Sequence, residues 1–308
     1  MLRYLLLFLF PFALFGKTQA PWFTGPLLAP SAQVNDFRQV TWQPYFFATC
    51  TYGAFNSSSK GHKTPNTWAF MPLIDVTYGL GSFIDIESVP SFSYQMSQGS
   101  SSIRMNDTPL ILGIQALRQQ EGSYMPDLRI ALETVFPFGQ YDKGNPKKHG
   151  TDLTGSGSYQ MKLSFNFQKT FLTSPGHYFR LRCTATPTLY PTPVHVEGIS
   201  TYGGSSRTSG KVYPGRTYTF FVSGEYSFTQ NWGFAFDTEY VYKSHDCFSG
   251  KKGDAPVGNP SSFQINLAPA IEYSYNPNLG FIGGAYFSIA GKNASQFASG
   301  TISAVVSY

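Results

Sequence analysis

Hydrophobic and polar residues alternate one by one along most of the chain after residue 40. The last eight residues show this pattern, with Ile302 and Val306 on one face and Ser303 on the other. In a central segment, Leu181 alternates in the same way with Arg180 and Arg182. A period of two residues predicts a β-strand with one apolar and one polar face. Counting such matches yields about twelve segments of strand length.

The connections between these segments alternate between long and short. Long outer loops and short periplasmic turns are typical of bacterial outer-membrane barrels. The predicted long connections are residues 53–66, 97–106, 139–157, 191–215, 244–260 and 291–296. The predicted short ones are residues 79–82, 173–176, 229–231 and 276–278, and residues 119–126 form one turn of medium length.

Composition favours a membrane barrel over a soluble sheet protein. Charged residues make up 13% of the chain and aromatic residues 17%, while the mean hydropathy is only −0.17. A barrel has this balance because half of each strand faces lipid and half faces a polar interior. The prediction is therefore an all-β fold, a closed antiparallel transmembrane β-barrel of about 12 strands with both termini in the periplasm. A soluble β-sandwich is the competing interpretation, but it would not require aromatic residues at so many strand ends.

The N-terminus is typical of an exported protein. Arg3 precedes an apolar run of residues 5–15, which has the length of a signal-peptide core and is too short to span a bilayer. We expect a signal peptide at residues 1–16, with cleavage between 16 and 20. A periplasmic or lumen segment follows at residues 17–37, and the barrel occupies 38–308. The expected location is the outer membrane of a Gram-negative bacterium.

Four prolines lie within predicted strands and argue against regular pairing. Proline donates no hydrogen bond to a strand ladder, and a barrel has no free edge to accommodate that loss. We expect bulges or locally distorted pairs at these positions. The prolines are Pro44, Pro72, Pro187 and Pro269.

The final predicted strand ends on an aromatic residue, Tyr308. Outer-membrane barrels commonly end in this way, because the last strand closes against the first and places its aromatic ring at the membrane interface. The expected partners are therefore outer-membrane lipid and the barrel-assembly machinery, which would engage the C-terminal strand ending at Tyr308.

Charged residues in the polar register of the strands form the candidate lumen lining. A basic group comes from the fifth to seventh predicted strands, and acidic groups come from strands on either side. Two interpretations remain open: a transverse field across a wet channel, or ion pairs that hold the lumen closed. The candidates are Asp75, Asp85, Glu87, Arg129, Glu133, Lys162, Arg180, Arg182, Glu225, Asp237, Glu239 and Glu272.

No residue pattern predicts an enzyme, a metal site or a cofactor. No histidine lies in the His-x-Ser-Asn-Gly setting of the outer-membrane phospholipases, and no serine lies in a nucleophile elbow. The three cysteines have no metal-ligand spacing, and Cys50 and Cys183 fall on outward strand positions. The net charge of +5 lies mainly in loops and implies no nucleic-acid partner.

The middle of the chain resembles a known family. The segment 106–115, Asn-Asp-Thr-Pro-Leu-Ile-Leu-Gly-Ile-Gln, is similar to the G-D-x-x-L-G-x-K strand of the outer-membrane transporter family of the meta-pathway of phenol degradation. An alternating strand then runs into Pro137-Phe138-Gly139, and a glycine-rich loop follows, as in that family. Asn106 replaces the first glycine of the pattern, and Gln115 replaces its lysine. The resemblance implies a barrel that passes small hydrophobic or aromatic compounds.

Two functions from different classes follow. The first is an outer-membrane channel or transporter for a small-molecule solute. The alternative is a structural or surface-exposed barrel whose long outer loops bind partners while the lumen stays closed. Obstruction of the lumen by arginine–glutamate pairs would favour the alternative.

Overall fold

A computed structural model describes residues 21–120 and 122–308. Within these residues, twelve antiparallel strands form one closed barrel, and two of the strands are interrupted near their middle. No helix in the described part of the chain is long and apolar enough to cross a membrane. The barrel strands are β1 (Val40–Phe55), β2 (Gly61–Gly81), β3 (Ile84–Ser88) with β4 (Phe92–Ser97), β5 (Ser100–Met105) with β6 (Thr108–Leu117), β7 (Asp127–Phe136), β8 (Gln160–Ser174), β9 (His177–Pro191), β12 (Thr217–Ser227), β13 (Trp232–Lys243), β15 (Ser262–Asn276), β16 (Leu279–Lys292) and β17 (Ala294–Ser307).

The first and last strands close the barrel. β1 pairs with β2 on one side and with β17 on the other, and Thr41 lies opposite Ser307. Val40 N donates to Tyr308 O at 3.1 Å, and Tyr308 N donates to Val40 O at 2.9 Å. Because every barrel strand has two neighbours, no strand edge is left unpaired along the wall. The predicted closed barrel of about twelve strands is confirmed.

The two faces of each strand differ as the alternation predicts. Trp42 and Trp68 project from the outer face and are each 43% exposed. Asp85 and Arg129 project inward and are 1% and 2% exposed. An apolar band outside and polar side chains inside is the arrangement of a barrel whose solvent is lipid.

The strand prolines distort pairing on one side only. Pro269 lies opposite Phe236 of β13, whereas the pairing of β15 with β16 skips from Leu267 to Ala270 without a change of register. Each proline keeps its pairing with one neighbouring strand, where its missing N–H is not required. The pairs are thus locally interrupted, and the bulges lie at other positions. The pairs that are retained are Pro44 with Ile74, Pro72 with Phe46, Pro187 with Tyr218, and Pro269 with Phe236.

Three of the predicted long connections are instead extended strands with tight turns, so that part of the prediction is wrong. β4 and β5 are joined by Gln98 and Gly99 alone, and both residues have positive φ, 48° and 78°. This conformation suits a two-residue hairpin turn. The polar residues around the turn belong to strands that continue past the apolar band. The three connections are residues 53–66, 97–106 and 291–296.

The other three long connections, residues 137–159, 192–216 and 244–261, fold together into a cap. They contribute the three-stranded sheet β10 (Val194–Glu197), β11 (Ser209–Tyr213) and β14 (Cys247–Lys251), and a short 3-10 helix, Pro146–Lys148. Val196, Val212 and Tyr202 form an apolar core beneath the sheet. Burial raises the pKa of Tyr202, so its phenol remains a neutral donor to Ser156 O at 2.6 Å. We call this the loop end of the barrel, and the opposite end, which holds Val40 and Ser307, the terminal end.

Candidate functional site: the barrel lumen

The N-terminal segment, residues 21–37, lies inside the lumen near the terminal end. Thr24 N donates to Glu272 Oε2 at 3.0 Å. Leu28 N and Ala29 N donate to the two carboxylate oxygens of Asp237 at 3.1 and 3.2 Å. The segment has no secondary structure of its own, so these buried N–H groups require side-chain acceptors. The inward carboxylates of β13 and β15 supply them.

One apolar side chain anchors the segment. Leu27 is 1% exposed and packs against Ala235, Ala268, Ala270 and Ile282. The three alanines lie on the inner faces of β13 and β15, where larger side chains would leave no space. A leucine of this burial contributes roughly 1.5–3 kcal/mol through apolar area removed from water.

Two arginines of β9, which only β12 separates from β13, hold the same stretch. Arg182 Nη1 donates to Ala29 O at 3.0 Å, and the Arg180 guanidinium lies 4.4 Å from the Phe23 ring centroid. Both arginines also approach Glu225. The N-terminal segment is therefore bound by charged lumen residues of β9 as well as of β13 and β15.

The second half of the segment is held by the strand that carries the family motif. Val34 N donates to Gln115 Oε1 at 2.9 Å, and Gln115 Nε2 donates to Ala32 O at 2.9 Å. Asn35 N lies 3.4 Å from Asp85 Oδ2. A single glutamine thus satisfies a backbone donor and a backbone acceptor of the segment.

All four predicted basic lumen residues form ion pairs. Arg129 Nη2 lies 2.7 Å from Asp85 and 2.9 Å from Glu87. The remaining pairs are Lys162 with Glu133 at 2.8 Å, Arg180 with Glu225, and Arg182 with Glu225 at 3.6 Å.

Gly113 explains how Arg129 reaches Asp85. Gly113 lies on β6, directly opposite Asp85 of β3, and β7 carries Arg129 on the other side of β6. A Cβ atom at residue 113 would overlap Asp85 Oδ1 and Arg129 Nε. The missing side chain therefore allows the ion pair to form across an intervening strand.

The other four predicted carboxylates form no ion pair among the described residues, and they differ in their hydrogen bonds. Asp237 and Glu272 accept from the N-terminal segment. Glu239 accepts from Tyr286 Oη at 2.6 Å and from Asn266 Nδ2 at 2.7 Å. Asp75 accepts a hydrogen bond of 3.4 Å from Thr77 Oγ1 and faces a cavity.

Two cavities remain beside the segment. The larger, about 650 Å³, lies between the segment and the β1–β2 wall and extends to Pro277 and Ser307 at the terminal end. The smaller, about 220 Å³, lies farther toward the loop end beside the Lys162–Glu133 pair. Pro30, Glu87 and Arg129 line both cavities.

Sequence reasoning missed the aromatic lining of the larger cavity. Tyr45 and Phe47 face inward on β1, with ring centroids 5.8 Å apart, and Leu73 lies opposite Tyr45 on β2. The signal was present as three consecutive aromatic residues, of which only the middle one, Phe46, can face lipid. Within the described ranges, no group of three or more histidine, cysteine or carboxylate side chains could hold a metal ion.

Comparison with solved structures identifies the fold. The crystal structure of the COG4313 outer membrane channel from Pseudomonas putida F1 matches with a TM-score of 0.70 at 12% identity, covering 91% of this chain and all of that chain. Two further barrels are more distant. The TodX deltaS2S3 mutant monoaromatic hydrocarbon channel matches with a TM-score of 0.44 at 12% identity, covering 95% of this chain and 96% of that chain. The NanC porin matches with a TM-score of 0.42 at 10% identity, covering 85% and 98%. The protein has the fold of an outer-membrane channel, and its location is the bacterial outer membrane.

The sequence itself identifies the family. The family model described as "Putative MetA-pathway of phenol degradation" matches residues 97–304, about two thirds of the chain. The protein belongs to this family, as the motif around Asp107 and Gly113 indicated. No curated protein sequence matches the chain.

Proposed function

We propose that the protein is a channel for small solutes, whose route runs between the N-terminal segment and the β1–β2 wall. The observation that carries this proposal is the pair of cavities that share Pro30, Glu87 and Arg129. Together they extend from the terminal end past the Arg129–Glu87 pair toward the loop end. The N-terminal segment fills much of the remaining lumen and would limit the size of solute that passes.

The lining supports a route for compounds that carry a ring. Phe23, Tyr45 and Phe47 line the larger cavity together with polar side chains such as Gln43. Aromatic faces stack on aromatic solutes, and neighbouring polar groups replace lost water contacts. The family description, which refers to phenol degradation, points to the same class of solute. Transport rather than catalysis is proposed, because most of the lumen charges are engaged in ion pairs or in contacts with the segment.

The alternative function, a closed barrel that binds partners through its cap, also has an observation in its favour. All four basic lumen residues are paired, and the segment occupies the lumen through both backbone and side-chain contacts. The two functions differ in whether the purified protein passes solutes.

Transport is tested by swelling of liposomes that contain the protein and by conductance in planar bilayers. We expect the wild-type protein to pass small solutes, and deletion of residues 22–36 to raise the conductance several-fold and to admit larger ones. Deletion removes the segment but leaves the twelve barrel strands intact. If neither protein conducts, the channel proposal is wrong, and the alternative of a closed barrel that binds partners is retained.

A reversible crosslink tests the position of the route. A Cβ built on Gly280 lies 3.5 Å from Thr24 Cβ, within the range that a disulfide requires. In a background with Cys50, Cys183 and Cys247 replaced by alanine, Thr24→Cys with Gly280→Cys should fix the segment to β16. We expect oxidation to leave the small-ion conductance near the wild-type level, because the route lies beside the segment. If oxidation abolishes conductance and reduction restores it, solutes pass only when the segment leaves, and the proposed route is wrong.

A further inference from the structure

The charged residues predicted to line the lumen include more carboxyl groups than cations. Of the twelve candidates, eight are carboxylates and four are cations. The four cations pair with Asp85, Glu87, Glu133 and Glu225, so the four other candidate carboxyl groups have no cationic partner among the described residues. A pore lined by one sign of charge concentrates ions of the opposite sign.

Only one of these four carboxylates faces the proposed route. Asp237 and Glu272 are occupied by backbone N–H groups of the N-terminal segment, and Glu239 is held by Tyr286 and Asn266. Asp75 lines the larger cavity, and the hydrogen bond from Thr77 engages only one of its oxygens.

The neighbours of Asp75 are suited to a cation. Gln43 lies directly opposite on β1, and Tyr45 is the next inward residue along that strand. The rings of Tyr45 and Phe47 lie nearly parallel, at 20° to each other. Aromatic faces attract cations, more strongly where the cation is removed from water. The four arginines that line the same cavity, Arg118, Arg129, Arg180 and Arg182, are already paired with carboxylates.

From this geometry we propose that the larger cavity is a binding site for small cations, including organic ammonium ions, and that Asp75 gives the route a preference for cations over anions. This inference rests on the proposed function for the passage of the ion, but the site itself can be tested without transport.

The first test measures reversal potential in planar bilayers under a potassium chloride gradient. We expect the wild-type protein to favour potassium over chloride, and Asp75→Asn to lower the permeability ratio at least threefold. The matched control is Asp254→Asn, which removes the same charge from an exposed carboxylate of the cap that pairs with Arg207. An unchanged ratio in Asp75→Asn, or an equal fall in the control, would overturn the assignment.

The second test does not require conductance. Gln43→Cys is introduced into the cysteine-free background and labelled with methanethiosulfonates of matched size that carry a trimethylammonium or a sulfonate group. Adding Asp75→Asn should reduce the ratio of cation to anion labelling rates about tenfold, from Coulomb's law at about 6 Å in water. Retention of heat-modifiable migration on a gel shows that the variants are folded. A ratio that does not change refutes the site, whereas a changed ratio in a protein without conductance retains the site and refutes transport alone.

Discussion

Gly113 is a residue whose role is visible only with its neighbours. Its position between β3 and β7 leaves space above β6 for the Arg129–Asp85 pair. Both charged side chains are almost fully buried, so each depends on the other for the interactions it lost with water. The glycine therefore acts through electrostatics rather than through backbone freedom.

We predict that Gly113→Ala destabilises the barrel by roughly 3–5 kcal/mol, the cost of separating a buried ion pair. The measurement is urea unfolding in lipid vesicles, followed by heat-modifiable migration. Gly300→Ala is the control, because a Cβ there meets no atom within 4 Å. Equal stability of the two variants would mean that the Arg129–Asp85 pair rearranges at little cost.

The family strand β6 illustrates how one element serves three parts of the molecule. Asp107, just before β6, accepts from Gly139 N at 3.0 Å and from Ser156 N at 2.8 Å, and so fixes the loop that follows β7. Gly113 opens the space for the lumen ion pair, and Gln115 binds the N-terminal segment. In chain order, Asp107 thus contacts the cap, Gly113 makes room for the ion pair on the lumen wall, and Gln115 binds the N-terminal segment.

Closure of the barrel by β17 gives a prediction at the scale of the element. Tyr308→Asp should reduce the membrane-inserted yield, because it places a charge beside the Val40–Tyr308 hydrogen bonds and at the lipid interface. We propose that the assembly machinery recognises this strand. Tyr308→Phe retains the ring and should insert as the wild-type protein does. Fractionation of outer membranes with a gel-shift assay measures both variants, and equal yields for Tyr308→Asp and wild type would contradict the proposal.

At the scale of the whole molecule, the barrel and the cap are joined by buried carboxylates in the loops. Asp246 accepts from Gly215 N at 2.7 Å and from Asn259 N at 3.0 Å, and pairs with Lys243 at the end of β13. It therefore ties together two of the three long connections and the barrel wall.

We predict that Asp246→Ala loosens the cap and leaves the barrel folded. Each backbone donor left without an acceptor costs about 1–3 kcal/mol of folding free energy. This cost exceeds the stability that a small loop assembly can lose and remain folded. Trypsin should then cleave more rapidly after Arg207, Lys251 and Lys252, while heat-modifiable migration persists. Asp254→Ala, which removes an exposed carboxylate paired with Arg207, is the control and should keep the wild-type cleavage rate after Lys251 and Lys252.

Local alternation predicted most of the strands and their faces, because lipid outside and polar groups inside impose a period of two on every spanning strand. Composition and the aromatic terminus were needed beside it to predict the closed barrel. The alternation also placed Arg129 and Asp237 on the inner face. Turns were harder to predict. The polar residues around Gln98 predicted a loop, although two residues with positive φ are sufficient for a hairpin turn.

Only the tertiary structure decided which charges meet and what fills the lumen. Arg129 pairs with Asp85 across an intervening strand, and Asp237 accepts from backbone N–H groups about 200 residues away in the chain. No periodicity encodes such contacts, because they depend on the circumference of the closed barrel and on the path of an irregular segment. The sequence by itself determined which face each residue occupies, since that is a property of the local backbone. The partner that each lumen residue finds is a property of the closed barrel as a whole.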